Sequence, residues 1–188
     1  MKSPLDISLN PPRTLLLSDT PQPGQIPNLL PHEAEALSFI LPLSSDYPGI
    51  ERWYRTKVVP GLRTGERYLH RVERGGELVG VGIAKKDSNE KKICTVRVSH
   101  DHFGRGIGVR IFDNLLRWLN EDRPHLTVSE SKLPNFERIF DWYGFSSTSA
   151  NSGLYVPGRL EIGYNENIQE ENEDRVQSQL TALRTIVK

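Results

Sequence analysis

The sequence predicts an α/β fold in which a central sheet, mixed but mostly antiparallel, is flanked by helices. Three observations carry this. Period-two runs at 68–73, 78–86 and 92–99 are separated by turns too short for a crossover, so these strands pair as hairpins. A glycine turn, Phe103-Gly104-Arg105-Gly106-Ile107-Gly108, stands between the last of them and an amphipathic helical run. Beyond it, short helical and strand-like runs alternate up to residue 164.

Taken in order, residues 1–31 are rich in proline and hold one short apolar run, Thr14-Leu15-Leu16-Leu17. They read as an extended arm with an early strand. Helical pattern starts near His32 and runs to about Leu41. A second helix spans 50–59, with Ile50, Trp53, Tyr54 and Val58 on one face and Pro60 and Gly61 ending it. The hairpin strands follow, joined across Gly75-Gly76 and then across Asp87-Ser88-Asn89. The helix at 107–120 presents Ile111, Leu115, Trp118 and Leu119 on its apolar side. A strand at 125–129, a helix at 133–143 carrying Phe136, Ile139 and Phe140, and strands at 145–148 and 154–164 complete the domain, residues 32–164. The tail, 165–188, turns acidic and then repeats Val176, Leu180, Leu183 and Val187 at spacings of three and four. That is a terminal amphipathic helix, expected to pack on its own domain or on a second copy in a homodimer.

With 188 residues, the chain is one ordinary domain. Its formal net charge is zero, which argues against bulk nucleic-acid binding, since gripping a duplex calls for a basic excess. The single cysteine, Cys94, has no disulfide partner in the chain and supplies no zinc spacing. Between Ile93 and Val96 it reads as a small residue of a buried strand. No apolar run reaches membrane-spanning length and the first residues lack a signal-peptide core, so a cytoplasmic protein is expected.

The glycine turn carries the chemistry. The segment from Val96 to Arg110 reads strand, loop, helix, and alternating glycines at a helix mouth let a ligand approach the backbone without Cβ obstruction. First-turn N–H groups lack intrahelical partners and converge on one anion, and a pyrophosphate fits. Arg105, Arg110 and His102 add positive charge. A Walker loop would need Gly-Lys-Ser/Thr, and no lysine follows Gly106 or Gly108. A dinucleotide fingerprint would need parallel strands linked by helices, whereas the strands before this turn are hairpins.

This order of elements resembles the GNAT acetyltransferase family. Its acetyl-CoA motif, R/Q-x-x-G-x-G/A between a strand and a helix, aligns with Phe103 to Gly108. Its later aromatic-x-x-x-Gly-Phe helix end aligns with Phe140-Asp141-Trp142-Tyr143-Gly144-Phe145. The resemblance runs from about Tyr68 to Tyr164. It implies acetyl-CoA as co-substrate and an amine as acceptor: a protein amine, a small amine or an aminoacyl group. It further implies that the strand of Val96, Arg97 and Val98 offers backbone groups to the pantetheine arm, and that Gly104, Arg105, Gly106, Ile107, Gly108 and Val109 hold the pyrophosphate. The same resemblance makes the Val98 N–H the candidate for the oxyanion. The sequence departs from the family in three places: Phe103 opens the turn, Phe140 stands where a tyrosine acid is common, and Leu133 where an asparagine is common. Tyr143, nearly one turn from Phe140, is the substitute hydroxyl or a half-buried packing residue. Glu130, just past Thr127 and Val128, is the candidate base, with Glu90, His100 and Asp101 as alternatives. Trp53 and Tyr54 fall where this family lines its acceptor pocket, or pack the core. The departures also admit a second reading, a CoA-binding module of the same fold with little or no catalysis.

Overall fold

The computed structural model describes residues 28–166. The early strand expected at 14–17 and the terminal helix expected after Glu166 lie outside the described residues. Helix α1 (Pro31–Ile40) opens with Pro31 in its first turn, where a missing N–H costs nothing. The Glu33 carboxylate accepts from the Leu30 N–H (2.8 Å) and from Arg63 Nη2 (2.8 Å), so a nearly inaccessible charge is fully paired.

Helix α2 (Ile50–Trp53) does not stop at Pro60. A π turn over Tyr54–Val58 carries it into α3 (Val59–Thr64). The Val59 N–H bonds back to the Tyr54 carbonyl, five residues away instead of four. The wider turn takes up Pro60, whose ring would otherwise press on the preceding turn. Termination falls instead at Gly65, left-handed at φ 79°.

Strands β1 (Arg67–Arg74), β2 (Glu77–Lys86) and β3 (Lys91–Val98) form an antiparallel sheet in the order β1-β2-β3. Gly75 and Gly76 both take positive φ, as a two-residue hairpin turn requires. Helix α4 (Ile107–Leu119) packs across this sheet, and Asn120 ends it in the left-handed region at φ 49°. Strand β4 (Leu126–Ser129), helix α5 (Glu137–Tyr143), β5 (Ser147–Ser152) and β6 (Leu160–Tyr164) follow. The last three strands form a second sheet in the order β4-β6-β5. The closing strands are shifted from the expected 145–148 and 154–164, because the turn between them is built by Gly153 and Gly158, both at positive φ.

Two apolar clusters hold the layers together. Ile107, Ile111, Phe112, Leu115 and Leu119 of α4 pack with Ile93, Leu126, Val128 and Phe140 on one face. Ala36, Leu37, Ile40, Tyr54, Val58 and Val59 pack on Val81 and Ile83 on the other. A fully buried side chain of this size is worth about 1.5–3 kcal/mol. Tyr54 belongs to this second core, its hydroxyl donating to the Glu33 carbonyl at 2.9 Å, and Trp53 lies half-buried beneath Arg67. Both are packing residues. No helix among the described residues is long and apolar enough to cross a membrane.

Candidate functional site

The two sheets meet along β3 and β4, which run parallel and touch at a single bridge, Lys92 with His125. There Ile93 N–H donates to the His125 carbonyl (3.0 Å) and His125 N–H to that of Lys91 (3.1 Å). Among the described residues β3 and β4 make no further pairing, so the sheets part toward the C-terminal ends of both strands. A bulge at Cys94 sets what faces the gap. Ile93 pairs with Ala84 and Thr95 with Ile83, leaving Cys94 as the extra residue. Beyond it, Ser99 N–H donates to Val79 at 2.9 Å, and alternation along an antiparallel pair then turns the N–H and C=O of Val96 and Val98 away from β2 and into the gap. On β4, the Glu130 N–H donates to Leu160 (3.0 Å), and the same alternation turns Thr127 and Ser129 toward β3. The gap is a cleft walled by backbone groups of Val96 and Val98 on one side and of Thr127 and Ser129 on the other, with the Ser129 carbonyl accepting from the Lys132 N–H (2.8 Å). An extended chain carrying amides satisfies such walls as an added strand does.

The cleft opens onto the glycine turn. After a short 3₁₀ turn (His100–His102), Phe103 stands half-exposed near the His100 ring, and Gly104 and Gly106 both adopt φ 72°. Gly106 is the N-cap of α4, and its carbonyl accepts the first helical bond, from Arg110 N–H (3.1 Å). The N–H groups of Ile107, Gly108 and Val109 therefore point outward. No acidic residue lies in this first turn, so the positive end of the helix is uncompensated. A Cβ on Gly104 or Gly106 would meet nothing within 4 Å; the open side is solvent. Gly108 differs, because a Cβ there would stand 3.0 Å from Ile139 Cδ1. Its absence lets α5 pack on α4. Arg105 and Arg110 are exposed beside the turn, and burial, with Arg110 close by, holds His70 below the usual histidine range.

Phe140 is 3% exposed within an aromatic cluster of Phe112, Phe136, Phe145 and Tyr164. The Tyr143 ring stacks on Phe112, and its hydroxyl donates to Asp113 at 2.5 Å. Burial and this carboxylate push the phenol well above its ordinary pKa. Here the hydroxyl directs its proton at a carboxylate of α4, which is the packing arrangement that the sequence also allowed. Glu130 is exposed just past the end of β4. Glu90 lies at the joined end of the cleft: burial alone would raise its carboxyl, but hydrogen bonds from Lys85 and His125 hold it below the usual range. His100 and Asp101 are almost wholly exposed and face each other at 3.7 Å. The Arg97 side chain leaves the cleft for the α1 side, where it covers the Phe39 ring at 4.5 Å. Cys94 is half-buried and burial raises its thiol, which excludes a ready thiolate.

Sequence reasoning missed a polar pair on the α1 side of the cleft. Tyr47, in the loop before α2, donates its hydroxyl to Glu161 Oε1 of β6 (3.1 Å). Glu161 is 5% exposed, and burial, with Asp46 nearby, raises its carboxyl although Thr127, Tyr47 and Lys92 act the other way. The available signal was a lone carboxylate inside the apolar strand Leu160-Glu161-Ile162.

Residues 49–153, more than half of the chain, match the family model described as an acetyltransferase (GNAT) domain. Among solved structures, the fold is similar to that of a GNAT-family protein from Desulfovibrio desulfuricans (14% identity, 73% of this chain and 93% of that one, TM-score 0.55). It is also similar to an aminoglycoside 6'-N-acetyltransferase complexed with coenzyme A (12%, 70% and 88%, TM-score 0.53). A third, the aminoglycoside 6'-N-acetyltransferase from Enterococcus faecium, gives 12%, 71% and 88% with TM-score 0.52. No curated protein sequence matches significantly.

Proposed function

Since this chain belongs to the GNAT acetyltransferase family, we propose that it moves an acetyl group from acetyl-CoA to a primary amine. The observation that carries this is continuity: the cleft walled by Val96 and Val98 runs into the glycine turn at the mouth of α4. In this reading the pantetheine amides bond to the free edge of β3, and the pyrophosphate sits on the N–H groups of Ile107, Gly108 and Val109 beside Arg105. Phe103 lies over the turn, and Phe140 shapes the pocket wall from within the core. The Val98 N–H receives the oxyanion.

An amine acceptor enters from the α1 side, where Glu130 stands at the rim and Tyr47 and Glu161 lie deeper. Its chemical class is a protein amine, a small amine or an aminoacyl group, and the reaction belongs in the cytoplasm, where acetyl-CoA is available. The test is acetyl-CoA consumption by the purified chain across a panel of amines, with calorimetry for CoA itself. Binding without turnover on any amine would favour the second reading, a CoA-binding module, which Phe140 in place of a tyrosine supports.

A further inference from the structure

We propose that Tyr47 and Glu161 form a proton relay that serves the acceptor amine, with the Tyr47 hydroxyl touching the amine and Glu161 taking the proton. This rests on the acetyltransferase reading. The geometry places both groups at the cleft. Ser129 ends β4 and pairs with Glu161 in register, so the carboxylate lies one strand from the cleft edge. The Tyr47 hydroxyl donates to this carboxylate, at Oε1, across 3.1 Å. The Tyr47 ring packs with the α1-side cluster, so its hydroxyl reaches Glu161 beside the cleft-edge strand on the side away from α4 and α5.

Glu161 is too enclosed to meet an acceptor directly, whereas Tyr47 is half-buried and accessible. A phenol that gives its proton to a carboxylate keeps a free lone pair for the proton of an attacking amine. The groups facing the pair are few. Asp46, in the Tyr47 loop, is neutralised by Arg159 and by Lys132 Nζ (3.4 Å); Lys92 approaches from β3, and Thr127 of β4 stands near Glu161. Tyr155 closes edge-on over Tyr47, ring centres 5.0 Å apart, and fixes its orientation. Among the described residues no cation pairs with Glu161 as Lys85 pairs with Glu90 at 2.9 Å, which leaves its carboxylate able to bind a proton. Burial raises this carboxyl, which is the direction a proton-accepting base needs.

In the step itself, the neutral amine nitrogen attacks the thioester carbonyl carbon. The C–N bond forms and the C–S bond breaks. The proton lost from nitrogen passes to the Tyr47 oxygen as the tyrosine's own proton moves to Glu161. The departing thiolate takes one proton from solvent and Glu161 returns one to solvent, which balances the transfer.

The experiment uses the full chain with acetyl-CoA and a panel of an aminoglycoside, a polyamine and a short peptide with a free N-terminus. Tyr47→Phe and Glu161→Gln are each expected to lower kcat about a hundredfold, with CoA affinity by calorimetry and thermal folding retained. The acidic limb of the wild-type kcat profile should disappear in Glu161→Gln. Unchanged kcat and an unchanged limb in both variants would overturn the relay and leave the acetyltransferase reading intact. If the wild type binds CoA but turns over no amine, that reading fails in this assay and the relay is judged by carboxyl ¹³C titration, Glu161 being assigned by its loss in Glu161→Gln. A midpoint above the ordinary glutamate range that rises further in Tyr47→Phe supports the coupled pair. An ordinary midpoint, or one indifferent to Tyr47→Phe, overturns it.

Discussion

The Tyr143 hydroxyl reaches Asp113 Oδ1 across 2.5 Å, which ties α5 to the flank of α4. A tyrosine proton held by a carboxylate on a neighbouring helix is part of the packing. Tyr143→Phe keeps the ring stacked on Phe112 and removes this bond together with a longer one to the Val109 carbonyl (3.3 Å). The variant should lose about 1 kcal/mol of stability, read by thermal or denaturant melting, with turnover on any accepted amine unchanged. A fall in kcat of two orders of magnitude at unchanged stability would restore Tyr143 as the acid.

Gly106 and Gly108 are two residues apart and are expected to fail differently. At Gly106 the backbone is left-handed and its Cβ direction is open solvent. In Gly106→Val the strained turn and the new methyls stand where the pyrophosphate would approach, and CoA affinity should fall tenfold or more, about 1.4 kcal/mol. Gly108→Ala brings its methyl against Ile139, so its first effect should be a lower melting temperature. Calorimetry beside a melt separates the two. Unchanged affinity in folded Gly106→Val would place the CoA site elsewhere.

The hairpins, α4 and the glycine turn were legible because each has a local signal: period two, period 3.6, and paired glycines. Pro60 misled because the π turn that accommodates it depends on the packing of Tyr54 and Val58, which no local pattern reports. The parting of the sheet is likewise non-local. Which groups face the gap depends on one extra residue, Cys94, whose effect is visible only against the register of β2. Tyr47 and Glu161 are 114 positions apart in sequence, and only the second sheet brings them together. Glu130 was singled out for its place after β4, and the structure puts it at the exposed rim while the enclosed carboxylate belongs to the neighbouring strand.

Phe140 offers a test of the aromatic cluster. Its ring centre lies 4.6 Å from that of Tyr164 and 5.7 Å from that of Phe136. In Phe140→Tyr a hydroxyl enters an apolar cluster, and without a partner it costs about 1–3 kcal/mol. Melting temperature should therefore fall while CoA binding is retained and turnover is unchanged or raised. A large loss of turnover in a folded variant would mean that the pocket needs an apolar wall at this position.

Glu161 gives a prediction about stability that is independent of any acceptor. Its carboxyl is raised by burial, so the folded state binds this proton more tightly than the unfolded chain does. The resulting stabilisation is complete below the unfolded value, about 4.3, and is lost as pH rises through the folded value. Above that, the enclosed carboxylate weighs against folding. Glu161→Gln keeps the shape and an oxygen for the Tyr47 hydroxyl while removing the charge. The variant should then melt above the wild type near neutral pH, by roughly 2–4 °C for each kcal/mol recovered in a chain of this size. The gap should close as the pH approaches about 4, where both carry a neutral side chain. Thermal melts across this range decide it. A wild type that melts higher than the variant at neutral pH would mean that the ionised Glu161 is stabilised by its partners, and that its proton is bound more weakly in the fold than in the open chain.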